Sequence, residues 1–137
     1  MTDGRVRIAP PIDLSDRLPA GGLLSTAVDL ARFGSSLLDG TIVTQGAAQT
    51  MFATQKTRTG VPTGYGIGFE VHASPLGLFV GQMGAVDGGT ALLLIHPETQ
   101  TVFALATNLG YATADSPPPP RPGTPDPPAI LLPFIRG

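Results

Sequence analysis

The apolar positions of this chain follow a helical rhythm early on and a strand rhythm in its middle. Between about Thr26 and Leu38, the residues Leu30, Phe33, Leu37 and Leu38 recur at the spacing that places them on one face of a helix. Ser25 or Thr26 can cap this helix, Thr26 and Asp29 have capping-box spacing, and Asp39-Gly40 supplies the stop. With Phe33 on the apolar face and fully buried, truncation to alanine is expected to cost about 3–5 kcal/mol. A shorter helix is predicted from about Gln45 to Phe52, capped by Thr44.

The strand signals come later. Gly64-Tyr65-Gly66-Ile67-Gly68-Phe69-Glu70-Val71 alternates small and large residues, as a strand with close backbone neighbours would. Ser74-Pro75-Leu76-Gly77 makes a turn into the apolar run Leu78 to Met83. Two further runs, Ala91 to Ile95 and Val102 to Ala106, flank the polar turn Pro97-Glu98-Thr99-Gln100 and read as a hairpin. The expected fold class is therefore α+β, an antiparallel sheet of at least three strands packed with helices. Glycines at 81, 84, 88 and 89 strip side chains from the Gln82-Met83-Gly84 region, which predicts an edge left open for a ligand, the alternative being that they serve only tight turns.

Composition limits what surrounds this sheet. The 137 residues allow one domain, with 1–20 an extended lead-in, 21–112 the folded unit, 113–128 a linker and 129–137 an apolar tail docking on the sheet. The linker holds eight of the fifteen prolines, so polyproline-like backbone is expected there. At 42% hydrophobic and 13% charged, the chain is apolar for its size, which implies either a well-filled core or an apolar surface covered by other protein. A net charge of −2 with no basic stripe argues against nucleic acid. No apolar run is long enough to span a bilayer, and no signal peptide is read at the N-terminus, which makes the cytoplasm the default compartment. Cysteine is absent, which excludes disulfides and thiolate metal sites.

The stretch from Pro19 to Phe33, which reads Pro-Ala-Gly-Gly-Leu-Leu-Ser-Thr-Ala-Val-Asp-Leu-Ala-Arg-Phe, resembles a signature of the β-lactamase-related serine hydrolases. These comprise class C β-lactamases, DD-peptidases and related esterases. The order that follows is also similar: a Gly-Tyr-Gly-Ile-Gly-Phe segment, a Gly-x-x-Gly edge strand, a hairpin with a Pro-Glu-Thr turn and a closing Thr-Asn, so that the resemblance covers about residues 12–110. It implies an α/β sandwich and three active-site motifs: Ser-x-x-Lys, Tyr-x-Asn and Lys/His-Thr/Ser-Gly. The single lysine, Lys56, has Ala53 three residues before it, and the single asparagine, Asn108, has Ala106 two before it. The first two motifs are therefore expected on protein upstream of this chain. At the third, Gln82 stands at the Lys or His position and Met83 at the Thr or Ser position, and Gly84 is kept. The resemblance implies that the Ala85 amide donates to the oxyanion.

Candidate substrate-binding residues are thus Gln82, Met83, Gly84 and Ala85, with no catalytic side chain in this chain and no cofactor or metal. Gln82 hydrogen-bonds without carrying a proton at neutral pH, and Met83 offers a soft apolar surface. The implied partners are a small-molecule or peptide-like acyl substrate and the missing N-terminal half or another copy of the chain. Members of the family are often periplasmic or secreted. The expected function is that of the C-terminal portion of a serine hydrolase, inactive alone; the alternative is a binding module or complementing subunit that uses the Gln82–Ala85 edge. Other residues read blandly: His72 and His96 have no ligand-spaced partners, and His96 is expected in solvent at a turn. Asp87 before Gly88-Gly89 is turn chemistry, Ser25 a cap and Tyr65 packing. Gly64-x-Gly-x-Gly68 enters a strand instead of opening a helix, so it lacks the context of a dinucleotide loop.

Overall fold

The structure, a computed structural model, describes residues 8–18 and 20–109. The linker 113–128, the tail 129–137 and residues 1–7 of the lead-in lie outside the described residues. Within the rest of the lead-in, Ser15–Arg17 forms a single 3-10 turn, with the Ser15 N–H donating to Asp13 Oδ1 at 2.9 Å.

Two helices precede the sheet, and each begins at a threonine. Helix α1 spans Ala27–Leu38, and Thr26 Oγ1 accepts from the Asp29 N–H at 3.1 Å while donating to the Asp29 carboxylate at 3.0 Å. Asp29 also holds Arg32 at 2.8 Å. The Thr26 hydroxyl first and the Arg32 guanidinium second keep the Asp29 carboxyl below its ordinary value of 3.8. An acid in this first turn also suits the positive end of the helix. Helix α2 spans Gln45–Phe52, and Thr44 Oγ1 accepts from the Ala47 N–H at 3.3 Å.

Four antiparallel strands then follow in chain order: β1 Glu70–Ser74, β2 Gly77–Val86, β3 Gly89–His96 and β4 Thr101–Thr107. The registers Glu70 to Gly81, Val86 to Gly89 and His96 to Thr101 define a simple meander. Strand β2 is ten residues long and β1 only five, so β1 covers β2 from Gly77 to Gly81 and no further.

Alternation sends side chains to both faces of the sheet. Val80, Leu93 and Ile95 join Leu37, Ala48, Phe52 and Phe69 in the main core beneath the helices. The Phe52 and Phe69 rings meet edge to face at 5.4 Å. Helix α1 can approach the sheet closely because of Gly34, where an added Cβ would lie 2.7 Å from Val102 Cγ1. On the other face, Phe79 and Leu94 form a second buried cluster with Leu76 and Phe103.

Three expectations are corrected. The Gly64–Val71 segment is not one strand: Gly64 and Gly68 adopt φ of 75° and 80°, the Gly66 N–H donates to the Phe69 carbonyl, and regular pairing starts at Glu70. Positive φ at two glycines bends the chain into a loop, so their purpose is the turn and not close strand packing. Phe33 is not fully buried but 40% exposed, while Leu37 at 1% carries the α1 contact with the core. His96 is not solvated but 1% exposed. It follows Leu92 and Leu94 in alternation onto the second face, where its ring lies 4.5 Å from that of Phe79. Its Nε2–H donates to the Leu76 carbonyl at 2.8 Å, and Nδ1 lies 2.7 Å from Thr99 Oγ1 and accepts from the Thr99 N–H. One imidazole thereby ties the β1–β2 turn to the β3–β4 turn.

Substitutions on α1 separate these roles. Leu37→Ala is expected to cost about 2–5 kcal/mol and Phe33→Ala clearly less. Gly34→Val is expected to cost about 1–3 kcal/mol, because the stiff Val102 side chain cannot yield easily. Urea unfolding midpoints of the three variants check this order.

Candidate active-site edge

The length mismatch between β1 and β2 creates the most distinctive surface of the described chain. In an antiparallel ladder, a residue turns both its N–H and its C=O to the same neighbour, and consecutive residues alternate. The two-residue turns at Pro75-Leu76 and Asp87-Gly88 fix the phase, with Gly77 bonded to Ser74 and Val86 to Gly89. Odd-numbered residues of β2 therefore face β1, and even-numbered ones face β3. Past Gly81 there is no β1 left, so the backbone groups of Met83 and Ala85 point into an open edge. Among the described residues no other backbone group bonds to them. The expected edge strand is thus an interior strand for half its length and an edge only from Gln82 onward.

Beside this edge, on the helix face, lies a groove of about 430 Å³ lined by Leu30, Phe33, Ile67, Gln82, Gly84 and Leu93 among others. Its walls are apolar apart from the Gln82 amide. An added Cβ at Gly84 would meet nothing within 4 Å, whereas one at Gly81 would lie 2.2 Å from the Leu93 carbonyl oxygen. Gly81 is thus required by packing and Gly84 is not. Phe33 is half-exposed because it stands in this groove.

A polar cluster closes the end of β1. The Tyr65 hydroxyl donates to Glu70 Oε1 at 2.6 Å, and His72 Nε2 lies 3.2 Å from Glu70 Oε2. The Glu70 and His72 side chains are largely enclosed. The bond to Glu70, reinforced by partial burial, raises the Tyr65 pKa above its ordinary 10.0, while the Gln82 side chain against the same hydroxyl acts the opposite way. Tyr65 is therefore not core packing, and His72 does have an acid partner two residues away. Alternation along β1 carried that signal, since Glu70 and His72 share a face. Sequence reasoning gave Glu70 no role.

The four candidate residues divide by face. Gln82 and Gly84 line the groove. Met83 and Ala85 send their side chains to the other side and offer only backbone to the open edge. Asp87 lies in the β2–β3 turn with Gly88 at φ 79°, as its turn chemistry predicts. Ser25 is exposed and donates to the Thr26 carbonyl, leaving Thr26 as the cap of α1. Among the described residues no three His, Asp or Glu side chains gather in a metal-binding group, and no helix is long and apolar enough to cross a membrane.

Comparisons agree with this architecture. A family model described as Beta-lactamase matches residues 1–121. No curated protein matches the chain. A crystal structure of a D-stereospecific amidohydrolase from Streptomyces sp. superimposes with a TM-score of 0.51 at 24% identity, over 64% of this chain and 26% of that one. The chain thus corresponds to about a quarter of the length of that protein, and at this identity the likeness is one of fold.

Two outcomes follow from the edge geometry. Gly84→Val is expected to change the unfolding free energy by no more than about 0.5 kcal/mol, as at a surface position, while Gly81→Val costs more than about 2 kcal/mol from backbone overlap. Chemical denaturation of both variants measures the contrast. Because Tyr65 is held protonated, its contribution to stability is present below about pH 10 and is lost as pH rises through its raised folded value. The stability difference between wild type and Tyr65→Phe, followed from about pH 8 to 12, should shrink across that window.

Proposed function

The chain belongs to the beta-lactamase family, and on that footing we propose that it forms the substrate-holding face of a serine acyl hydrolase whose nucleophile lies on protein outside this sequence. The observation that carries this reading is the pair of outward-facing backbone positions, Met83 and Ala85, flanking the bare Gly84. An ester, amide or lactam carbonyl set against this edge would meet the Ala85 N–H. When a serine oxygen adds to the carbonyl carbon, the carbonyl oxygen gains the negative charge, and that N–H stabilises it. Collapse of the intermediate restores the carbonyl and expels the alcohol or amine, and water then releases the acid. A fixed donor of this kind is worth a factor of about 10²–10³ in rate.

Several features support this division of labour. Neither Ser-x-x-Lys nor Tyr-x-Asn occurs in the sequence, so the isolated chain should not hydrolyse chromogenic β-lactams or short acyl esters. The half-exposed Phe33 and Ile67 give the groove an apolar wall suited to further protein or to an apolar acyl group. The amidohydrolase of similar fold acts on amides by its description, which makes an amide one reasonable substrate here. A second reading rests on the same edge. Free N–H and C=O groups at both Met83 and Ala85 would also hold an extended peptide by strand addition without turnover.

Reconstitution distinguishes the two. The chain mixed with a separate N-terminal half bearing Ser-x-x-Lys and Tyr-x-Asn is expected to hydrolyse acyl esters, and Gly84→Val should lower kcat/KM at least about a hundredfold. An assembled, active complex indifferent to Gly84→Val would remove the substrate from this edge.

A further inference from the structure

The groove beside the open edge has a wall and a floor that the chain's own bonds hold in place. Its outer wall is the loop 64–69, and main-chain hydrogen bonds pin that loop. The Gln55 N–H donates to the Tyr65 carbonyl at 2.7 Å, the Ile67 N–H to the Met51 carbonyl at 2.8 Å and the Val71 N–H to the Gly64 carbonyl at 2.8 Å. An added Cβ at Gly66 would overlap the Met51 carbonyl, so the loop sits directly on the last turn of α2. The Tyr65 hydroxyl ties the start of the loop to Glu70 of β1 at 2.6 Å. A loop held this way displays Ile67, which stands half in solvent and lines the same groove as the half-exposed Phe33 of α1. The floor is low for a complementary reason. On the helix face of the sheet, the rows Val80–Ile95 and Gln82–Leu93 carry large side chains, and the next row is Gly84–Ala91. That step down opens the groove beside Gly84, between the outward-facing backbones of Met83 and Ala85.

We propose that this groove is the acyl subsite of the substrate edge and takes a neutral, apolar acyl group. The subsite rests on the proposed substrate edge and gives that edge its substrate class. With a substrate carbonyl on the Ala85 N–H, a substituent that passes over the bare Gly84 enters the groove, because Gly84 belongs to both. The acyl group is the substituent that must stay in place through attack by serine and then by water, while the leaving group departs between the two. A preformed groove of about 430 Å³ is of the size that small organic groups occupy, roughly 300–1,000 Å³. A charged end would surrender its hydration to walls whose only polar side chain is Gln82. An aliphatic or aryl end would instead cover Phe33 and Ile67, which are otherwise held in water. Phe33, Ile67 and Ala91 are thus the specificity-determining residues.

Two isomeric amides, N-methylhexanamide and N-pentylacetamide, extend N-methylacetamide by the same methylenes on opposite sides of the carbonyl. Titrated into the full ¹⁵N-labelled chain, N-methylhexanamide is expected to shift the Gly84, Ala85 and Ala91 amides. It should bind at least about fifteenfold more tightly than N-methylacetamide, which is about twofold per methylene, as a half-open groove allows. N-pentylacetamide, and N-methylhexanamide bearing a terminal ammonium, should each gain less than about threefold. Ala91→Phe fills the floor and Ile67→Ser removes an apolar wall, so in each the gain of N-methylhexanamide should fall below about fivefold. Equal binding of the two isomers, a full gain for the ammonium probe, or an undiminished gain in whichever of Ala91→Phe and Ile67→Ser keeps a dispersed spectrum overturns the acyl subsite and leaves the substrate edge standing. Absence of any shift at Met83, Gly84 and Ala85 with every probe overturns both.

Discussion

The hydrogen-bonding phase of β2 is the constraint on which the rest of the structure turns. Two tight turns, Pro75-Leu76 and Asp87-Gly88, set that phase independently from the two ends of the strand, and they agree. The agreement places Val80 under the helices and Phe79 on the far face, so both cores depend on it. A slip of one residue would exchange the faces of every side chain on the strand. The same phase dictates that Met83 and Ala85, and not Gln82 or Gly84, turn their backbone outward once β1 has ended. Packing and the candidate site are thus two results of one register.

Sequence patterns located the elements whose signals are local. Thr26 and Thr44 cap their helices as their spacing to the first turns predicts, and the β3–β4 hairpin matches its two apolar runs with only small differences at the ends. Where sequence patterns misled, the deciding information lay elsewhere in the fold. The Gly64–Gly68 glycines were legible as unusual, but strand spacing and a positive-φ loop look alike until the backbone is known. His96 lies beside a turn, which suggests solvent, yet the alternation from Leu92 and Leu94 was the stronger signal and leads it to Phe79 and the Leu76 carbonyl. Phe33 has the period of a core residue but faces a groove that nothing within the described residues fills.

The candidate site was half legible. Glycines at 81, 84, 88 and 89 suggested bare backbone, but they serve different ends: Gly81 is demanded by the Leu93 carbonyl, Gly88 by its turn, and Gly84 by neither. Only the structure separates them. The Tyr65–Glu70–His72 chain is not legible as a unit in the sequence, because Tyr65 joins the two β1 residues only through the loop that precedes the strand. An apolar composition shows at the surface as a half-open groove with Phe33 and Ile67 in its wall.

Amide hydrogen exchange along β2 tests the central claim most directly, because it reads the backbone phase residue by residue. Gln82, Gly84 and Val86 donate across to β3 and should be protected, whereas Met83 and Ala85 between them should exchange at rates close to those of exposed backbone. That alternation would establish the open edge. Uniform protection from Gln82 to Val86 would mean that another segment covers the edge, and its role as a ligand-binding face would be contradicted.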